Sequence, residues 1–420
     1  MKTKPNISYT TQYHLCTGCG VCEGACPSHA ISMQVKKGKF RPIVDEKSCK
    51  NSKGCHRCYE TCPGIGIDLI GLARKNFQDK EIKQNKYAGT YLKCFTGHSK
   101  SYDIRFHCAS GGMVSQFLIY LLEKGYIQGA VVTAFDKDAP LLVHSYIART
   151  KEEVLAGKSS KYAPVTLNHV IQDIKSTEGK YVIVGLPCHI AGFRKYEQYD
   201  KKFKKLISGY FSIYCSSGRS FYLTEYVFKT RKIHKDQLDY FAYRDNGCLG
   251  NMVAKGKGFE HEERFQDYYQ PLRSFFVPKR CTMCIDHYGE LSDVSFGDIH
   301  IDPYIDDTIG VNSLIVRNRS FLNWLYEAKN EQAITLDEIS VAMVNKGQVM
   351  AKIKKERNST FIRINKILGK KVPWYDVLPK EGKQLKWFVS YLHTNIQQFI
   401  GSHKWMWWAI KIFKGKGAVR

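Results

Sequence analysis

The chain has 420 residues, 43% hydrophobic and 25% charged. That is the balance of a folded protein with a sizeable core, and the length suggests two or three domains. No apolar run reaches the ~18 residues of a membrane span. The formal net charge of +25 is uneven, with 17 Lys/Arg against three Asp/Glu from Ser340 onward. It implies anionic partners, but no recognised nucleic-acid module accompanies it, which argues against DNA or RNA.

The N-terminal 62 residues carry eight of the fifteen cysteines, in two runs: Cys16-x2-Cys19-x2-Cys22-x3-Cys26-Pro27 and Cys49-x5-Cys55-x2-Cys58-x3-Cys62-Pro63. Three closely spaced thiolates wrap one face of a cubane, and the fourth, before proline, points away. In two-cluster ferredoxins that fourth cysteine ligates the other cluster. The reading is two [4Fe-4S] clusters, one on Cys16, Cys19, Cys22 and Cys62 and the other on Cys26, Cys49, Cys55 and Cys58. Zinc prefers two pairs across a longer loop, often with histidine. Disulfides need an oxidising compartment, and the start Met-Lys-Thr-Lys-Pro-Asn shows no apolar signal stretch. The expectation is a cytoplasmic protein with thiolates used as ligands.

The ferredoxin-like segment is assigned to residues 1–72, followed by a polar linker over 73–88. Beyond it, Met113 to Lys124 has helical apolar spacing closed by Gly125. Ala130 to Phe135 and Tyr181 to Val184 read as strands, with a helix from Leu167 to Lys175 between them, so a sheet with some parallel pairing is expected. Gly247 to Gly258 reads as a loop or hairpin. Cys188 and Cys215 each follow a predicted strand, and Cys281 and Cys284 form a Cys-x2-Cys. Together they number four ligands, enough for a third cluster. The alternatives are a nucleophilic Cys188, a core Cys215, or zinc held by the pair with His287. Cys94, Cys108 and Cys248 show no partner pattern.

Two loops have anion-binding character. Ser110-Gly111-Gly112 opens the helix at Met113, where small residues and unpaired amides admit a phosphate. Gly157 to Tyr162 brings Lys158, Ser160, Lys161 and Tyr162 into six residues; a plain surface loop is the alternative. Ser295-Phe-Gly-Asp298 puts a carboxylate on a turn. In the tail, Trp387-Phe-Val-Ser-Tyr-Leu and Trp405-Met-Trp-Trp-Ala-Ile-Lys-Ile-Phe-Lys-Gly-Lys mix aromatics with lysines. They read either as a helix docked on the body with buried tryptophans, or as contact with a partner or with the inner face of a membrane.

The order of these motifs resembles the coenzyme F-420 hydrogenase/dehydrogenase beta-subunit family fused to an N-terminal two-cluster ferredoxin. The series comprises the cluster runs, Ala-Ser-Gly-Gly-Met-Val, Gly-Lys-Ser-Ser-Lys-Tyr, Gly-Leu-Pro-Cys-His, Tyr243-Arg244-Asp245, Arg280-Cys-Thr-Met-Cys and Ser-Phe-Gly-Asp298. The resemblance covers roughly residues 10 to 330. It implies a mixed-sheet α/β domain over 89–335 that binds FAD beside a [4Fe-4S] cluster on Cys188, Cys215, Cys281 and Cys284. Ser110, Gly111, Gly112, Lys158, Ser160, Lys161 and Tyr162 would then line the flavin pocket. Residues 336–420 form a basic, aromatic, helical extension with no recognised counterpart among the hydrogenase-associated members. The implied function is an iron–sulfur flavoprotein oxidoreductase acting on an organic substrate or soluble coenzyme, fed by a ferredoxin or an oxidoreductase subunit. The alternatives are an electron-relay subunit without its own substrate and a scaffold with structural clusters.

Overall fold

The computed structural model describes residues 4–136, 142–379 and 385–415; positions 416–420 of the expected tail lie outside them. Its centre is an eight-stranded mixed sheet. The strands are β1 (Lys93–Gly97), β2 (Gly129–Phe135), β3 (Val143–Ala148), β4 (Tyr181–Gly185), β5 (Ile207–Ile213), β6 (Val294–Asp298), β7 (Asn312–Val316) and β8 (Asp337–Ile339), in the order β8-β1-β7-β6-β5-β4-β2-β3. The four middle strands are parallel, with Ala130 opposite Val182, Phe211 opposite Val184 and Phe211 opposite Val294. Both flanks are antiparallel.

Alternation along the central strands explains why both faces are covered. Val131, Tyr181, Ile183 and Tyr210 point to one face, where helices α2 (Val170–Lys175) and α3 (Pro187–Tyr196) pack. Ala130, Val132, Val182 and Phe211 point to the other, against α1 (Met113–Glu123) and α4 (Arg319–Asn330). The expected helix at Leu167 begins later, at Val170. The Leu167 amide donates instead to the Cys19 carbonyl at 2.9 Å, which holds that stretch against the ferredoxin segment. The glycine-rich stretch after Asn246 is the turn and second strand of a three-stranded antiparallel sheet, Leu238–Asp245, Asn251–Gly256 and Phe259–Arg264.

The ferredoxin segment is not tethered by a free linker. A helix runs from Leu69 to Asn76, Phe77 is buried, and Asp79 accepts from Arg319 Nε at 2.8 Å. Lys83–Asn85 then pairs with Gly89–Tyr91. Most of the polar residues between Arg74 and Lys86 are exposed, as their composition predicts; what composition does not display is the anchor at Arg319, far away in sequence. Leu15, Cys19, Val21 and Ile67 share one apolar cluster with Ile171, Ile190, Phe193 and Met283. Gly20, at φ +83°, has the Thr166 hydroxyl 2.2 Å from where a Cβ would stand, so the two parts meet backbone against side chain.

The C-terminal part wraps around both. Helix α5 (Val349–Ile367) runs beside the Lys279–Met283 turn, and Trp374–Tyr375 pairs in parallel with Gly66–Ile67. Helix α6 (Leu385–Ser402) and the turns after it lie near the three-stranded sheet. Of the four tryptophans there, Trp407 is buried against Tyr222, Tyr226 and Phe276, Trp387 is half-buried, and Trp405 and Trp408 are exposed. The docked-tail reading with all tryptophans buried therefore holds for one of them.

Candidate redox site

Parallel neighbours deliver their C-terminal ends to one edge of a sheet, where ligand crevices form. β4 ends at Gly185 and Cys188 sits in the first turn of α3; β5 ends at Ile213 and Cys215 follows two residues later. The short helical turn Lys279–Met283 brings Cys281 and Cys284 to the same edge. All four line one cavity, together with Cys16, Leu186, Asp286 and Lys354. Burial and the neighbouring thiols of Cys19, Cys215, Cys281 and Cys284 push the Cys188 thiol well up. Burial likewise raises Cys215, to about 11.

Helix α5 closes this cavity. Lys354 Nζ donates to the carbonyl oxygens of Cys215 and Asp286, 2.6 Å from each. One turn on, Asn358 Nδ2 donates to the carbonyls of Cys284 at 2.6 Å and Cys281 at 3.3 Å. The i, i+4 spacing puts both on one helix face. Arg280 ties the cysteine turn to the ferredoxin segment by donating to Gly64 O at 3.0 Å and Pro63 O at 2.9 Å, and also to the Tyr375 hydroxyl at 3.0 Å. Neither Lys354 nor Asn358 stands out in the sequence, because both lie in the basic stretch Lys352–Arg363 with no motif around them.

His189 and His287, although adjacent, have other work. The Leu186 amide donates to His189 Nδ1 at 3.1 Å, and His189 Nε2 lies 3.2 Å from the Val165 carbonyl. His287 Nε2 lies 3.1 Å from Gln348 Oε1. Among the described residues no three His, Cys, Asp or Glu side chains close on the point a single metal ion would occupy.

In the ferredoxin segment, Cys62 falls with the first run. Burial, then Cys62 and Cys16, push the Cys19 thiol up to about 12, and Cys62 in turn is raised by burial and Cys16. Cys58 is raised to about 12 by burial, with Cys26 and Cys55 as its thiol neighbours. Cys49 accepts a long contact from Asn6 Nδ2 at 3.8 Å. Cys94 and Cys108 are buried core residues.

The two small-residue loops are bridged by Asp298, the carboxylate on its turn, and its partner Arg244. Arg244 Nη1 donates to Asp298 Oδ2 at 3.0 Å and Nη2 to Ala109 O. Burial pushes the Asp298 carboxyl up, but Arg244, His300 and Ser110 outweigh it and hold the carboxyl below its ordinary value. Tyr162 stands beside Arg244 and Ser160, which partly offset the upward push of burial on its hydroxyl, and its ring centroid lies 4.2 Å from that of Tyr269. Tyr269 in turn meets Arg219 at 4.8 Å, and Arg219 lines the cysteine cavity. The loop after Tyr162 reaches that cavity directly through Ala163, Pro164 and Val165.

Not every loop residue faces outward. Lys161 Nζ donates to the carbonyls of Gly157 at 2.7 Å, Lys158, and Ser159 at 3.2 Å, and burial lowers it to about 7. Lys158 holds the loop only through its backbone, donating to Leu155 O. At the helix start, the Met113 amide is taken by Asn312 Oδ1 at 3.1 Å, and a Cβ on Gly111 would stand 2.9 Å from the Asn312 nitrogen and the Gly97 carbonyl. Gly112 sits at φ +72°.

Comparison with known proteins agrees with this layout. Residues 94–172 match the model for the N-terminal part of the coenzyme F420 hydrogenase/dehydrogenase beta subunit, residues 178–342 that for its C terminus, and residues 15–67 a 4Fe-4S dicluster domain. The chain is 25% identical over 339 residues to the coenzyme F420-dependent sulfite reductase of Methanocaldococcus jannaschii, covering 77% of this chain and 48% of that protein, so it spans about half the relative's length. It is 24% identical over 300 residues to the coenzyme F420 hydrogenase subunit beta of Methanococcus voltae, covering 68% of this chain and 99% of that subunit. A chain in the F420-reducing [NiFe] hydrogenase complex from Methanosarcina barkeri shares the fold, with a TM-score of 0.56 and 18% identity over 70% of this chain and 98% of that one. The chain belongs to the coenzyme F420 hydrogenase/dehydrogenase beta-subunit family, with a 4Fe-4S dicluster domain at its N-terminal end.

Proposed function

We propose that the chain is an iron–sulfur flavoprotein oxidoreductase, moving electrons between three [4Fe-4S] clusters and an FAD that serves an organic substrate or soluble coenzyme. One observation carries the reading: Cys188, Cys215, Cys281 and Cys284 meet on one cavity that Cys16 of the first ferredoxin run also lines. Under this reading Cys16, Cys19, Cys22 and Cys62 hold one cluster, and Cys26, Cys49, Cys55 and Cys58 a second. The cavity cysteines hold the third, next to the first.

Clusters carry one electron at a time, and a bound flavin supplies the exchange between one- and two-electron chemistry. The residues of this chain prepare that exchange. Ser110, Gly111 and Gly112 pack the start of α1 tightly against Asn312 and Gly97, and Ser160 and Tyr162 are linked to that start through the Arg244–Asp298 bridge. Lys158 lies at the rim of the loop, while Lys161 stiffens it from inside. Arg219, Lys39 and Arg41 make the cavity wall cationic, which suits an anionic substrate or coenzyme.

Anaerobic purification with cluster reconstitution tests this reading. About 12 irons per chain are expected, since each cubane holds four, together with FAD released on denaturation. Cys284→Ala should lower the count to about eight and slow flavin reduction by a one-electron donor. A wild-type count of about eight sinks the third cluster, and cluster absorbance without released flavin sinks the flavoprotein. A second reading, a relay subunit with no substrate of its own, is favoured by the naming of relatives as hydrogenase subunits. Reduction of a soluble acceptor by the isolated chain separates the two.

A further inference from the structure

Helix α6 is inside out. Its buried positions are Tyr391, Thr394, Gln397, Gln398, Ile400 and Gly401, mostly polar or small. Gln398 Nε2 donates to Val277 O at 2.9 Å, and Gln397 accepts from the Ser274 amide at 3.3 Å while donating to Phe413 O at 3.0 Å. These bonds fix which way the helix faces. A surface helix of a globular protein ordinarily turns its apolar stripe inward. Here Leu385, Phe388, Val389, Leu392, Ile396 and Phe399 recur at intervals of three and four and are 47% to 78% exposed. The stripe is about 21 Å long at 1.5 Å per residue. Aromatic contacts extend it, since Phe399 meets His403 at 4.4 Å and His403 meets Trp405 at 6.3 Å.

We infer that this face seats the protein on an anionic lipid surface, with α6 lying in the plane of the headgroups. Two observations select lipid over other apolar occupants. Lys386, Lys411 and Lys414 are exposed on the same helix and the turns that follow it, in the fifth of the chain that holds 17 Lys/Arg against three Asp/Glu. Basic side chains close to an apolar helix face match anionic headgroups above acyl chains. The exposed Trp405 and Trp408 are the residue type that settles at the headgroup level. Among the described residues no helix is long and apolar enough to cross a membrane, so the contact is with one leaflet. The inference does not depend on the identity of the cofactors, because it uses a face away from the cysteines.

Flotation of the full holoprotein with lipid vesicles tests it. The probes are vesicles of phosphatidylcholine alone and of phosphatidylcholine mixed with phosphatidylglycerol. The protein should float with the mixed vesicles at low salt and remain behind with the neutral ones, and added salt should release it. Leu392→Glu with Phe399→Glu should weaken binding by about tenfold or more, since two apolar contacts are replaced by charges. Both residues are exposed, so cluster absorbance and elution volume should match the wild type. Lys411→Glu with Lys414→Glu should remove the preference for anionic lipid. Wild-type protein that floats with neither vesicle overturns the proposal. So does a dimer that Leu392→Glu dissociates, because the stripe would then belong to a second copy of the chain.

Discussion

Lys354 reaches from α5 to the carbonyl oxygen of Cys215 at 2.6 Å, with its side chain buried, and so places a positive charge against the backbone of the cysteine cavity. Burial pushes the ammonium pKa down, but Cys284, Cys215 and Asp286 outweigh it and the group is held charged. This helix lies beyond the matched family region, which ends at residue 342. Lys354 therefore reaches the site from outside the stretch that the family models cover.

Lys354→Met should lower the midpoint potential of a cluster held by Cys188, Cys215, Cys281 and Cys284, because electron addition would lose a nearby cation. The expected scale is roughly 60 mV for each ~1.4 kcal/mol of attraction lost in a one-electron couple. Lys354→Arg should recover most of it. A redox titration followed by electron paramagnetic resonance reads the potential, and an unchanged value would show that Lys354 serves only to hold the backbone.

The crossed ligand sets predict an unequal pair of double variants. Cys19→Ala with Cys62→Ala removes two ligands of one cluster and should leave about eight of 12 irons. Cys19→Ala with Cys26→Ala strikes both ferredoxin clusters and should leave about four. Reversed counts would assign Cys26 to its own run.

Arg194 is sealed between the ferredoxin segment and the sheet, 2.8 Å from Asp293 and 3.4 Å from Glu197, and it stands 4.4 Å over Tyr210. Arg194→Met should cost about 3–5 kcal/mol, since it strands buried carboxylates. Lys93→Ala, which breaks an exposed pair with Glu338, should cost less than about 1 kcal/mol. Urea midpoints of the two variants compare them directly.

The Arg244–Asp298 bridge should show itself in acid. A carboxylate whose folded pKa is depressed binds fewer protons folded than unfolded over that interval, so stability falls as pH falls. The contribution is complete above about pH 4, the unfolded carboxyl range, and is lost as pH drops through the lower folded value. Asp298→Asn should be less stable than wild type at neutral pH, because it leaves Arg244 without its carboxylate, and the gap should narrow as pH falls below about 4. A gap of constant size from neutral pH to pH 3 would mean that the bridge is not ionic.

Much of this architecture was legible because local rules suffice for it. Cysteine spacing gave the two ferredoxin runs, apolar periodicity gave α1, β2 and β4, and the two cysteines after strands pointed to one edge of a parallel sheet. What stayed hidden depends on who packs against whom. Ile190 and Phe193 look like the core of their own domain, yet Leu15 and Val21 belong to the same cluster. Asp79 looks like linker until Arg319 is placed beside it. The small-residue loops read as anion sites in the sequence, but that Lys161 turns into its own loop depends on burial, which sequence does not display. The tail's aromatics were visible too; that the glutamines would take the inside of α6 and leave the leucines out was not.

The merging of the N-terminal segment with the sheet has a consequence for traffic through the protein. With Leu15, Val21 and Ile67 cemented into the same interior as Ile190 and Phe193, the N-terminal segment cannot swing toward a partner and back, as a hinged carrier arm would. On the proposed reading, electrons would hop between cofactors held at fixed gaps, like soldered wiring, rather than ride on a moving arm.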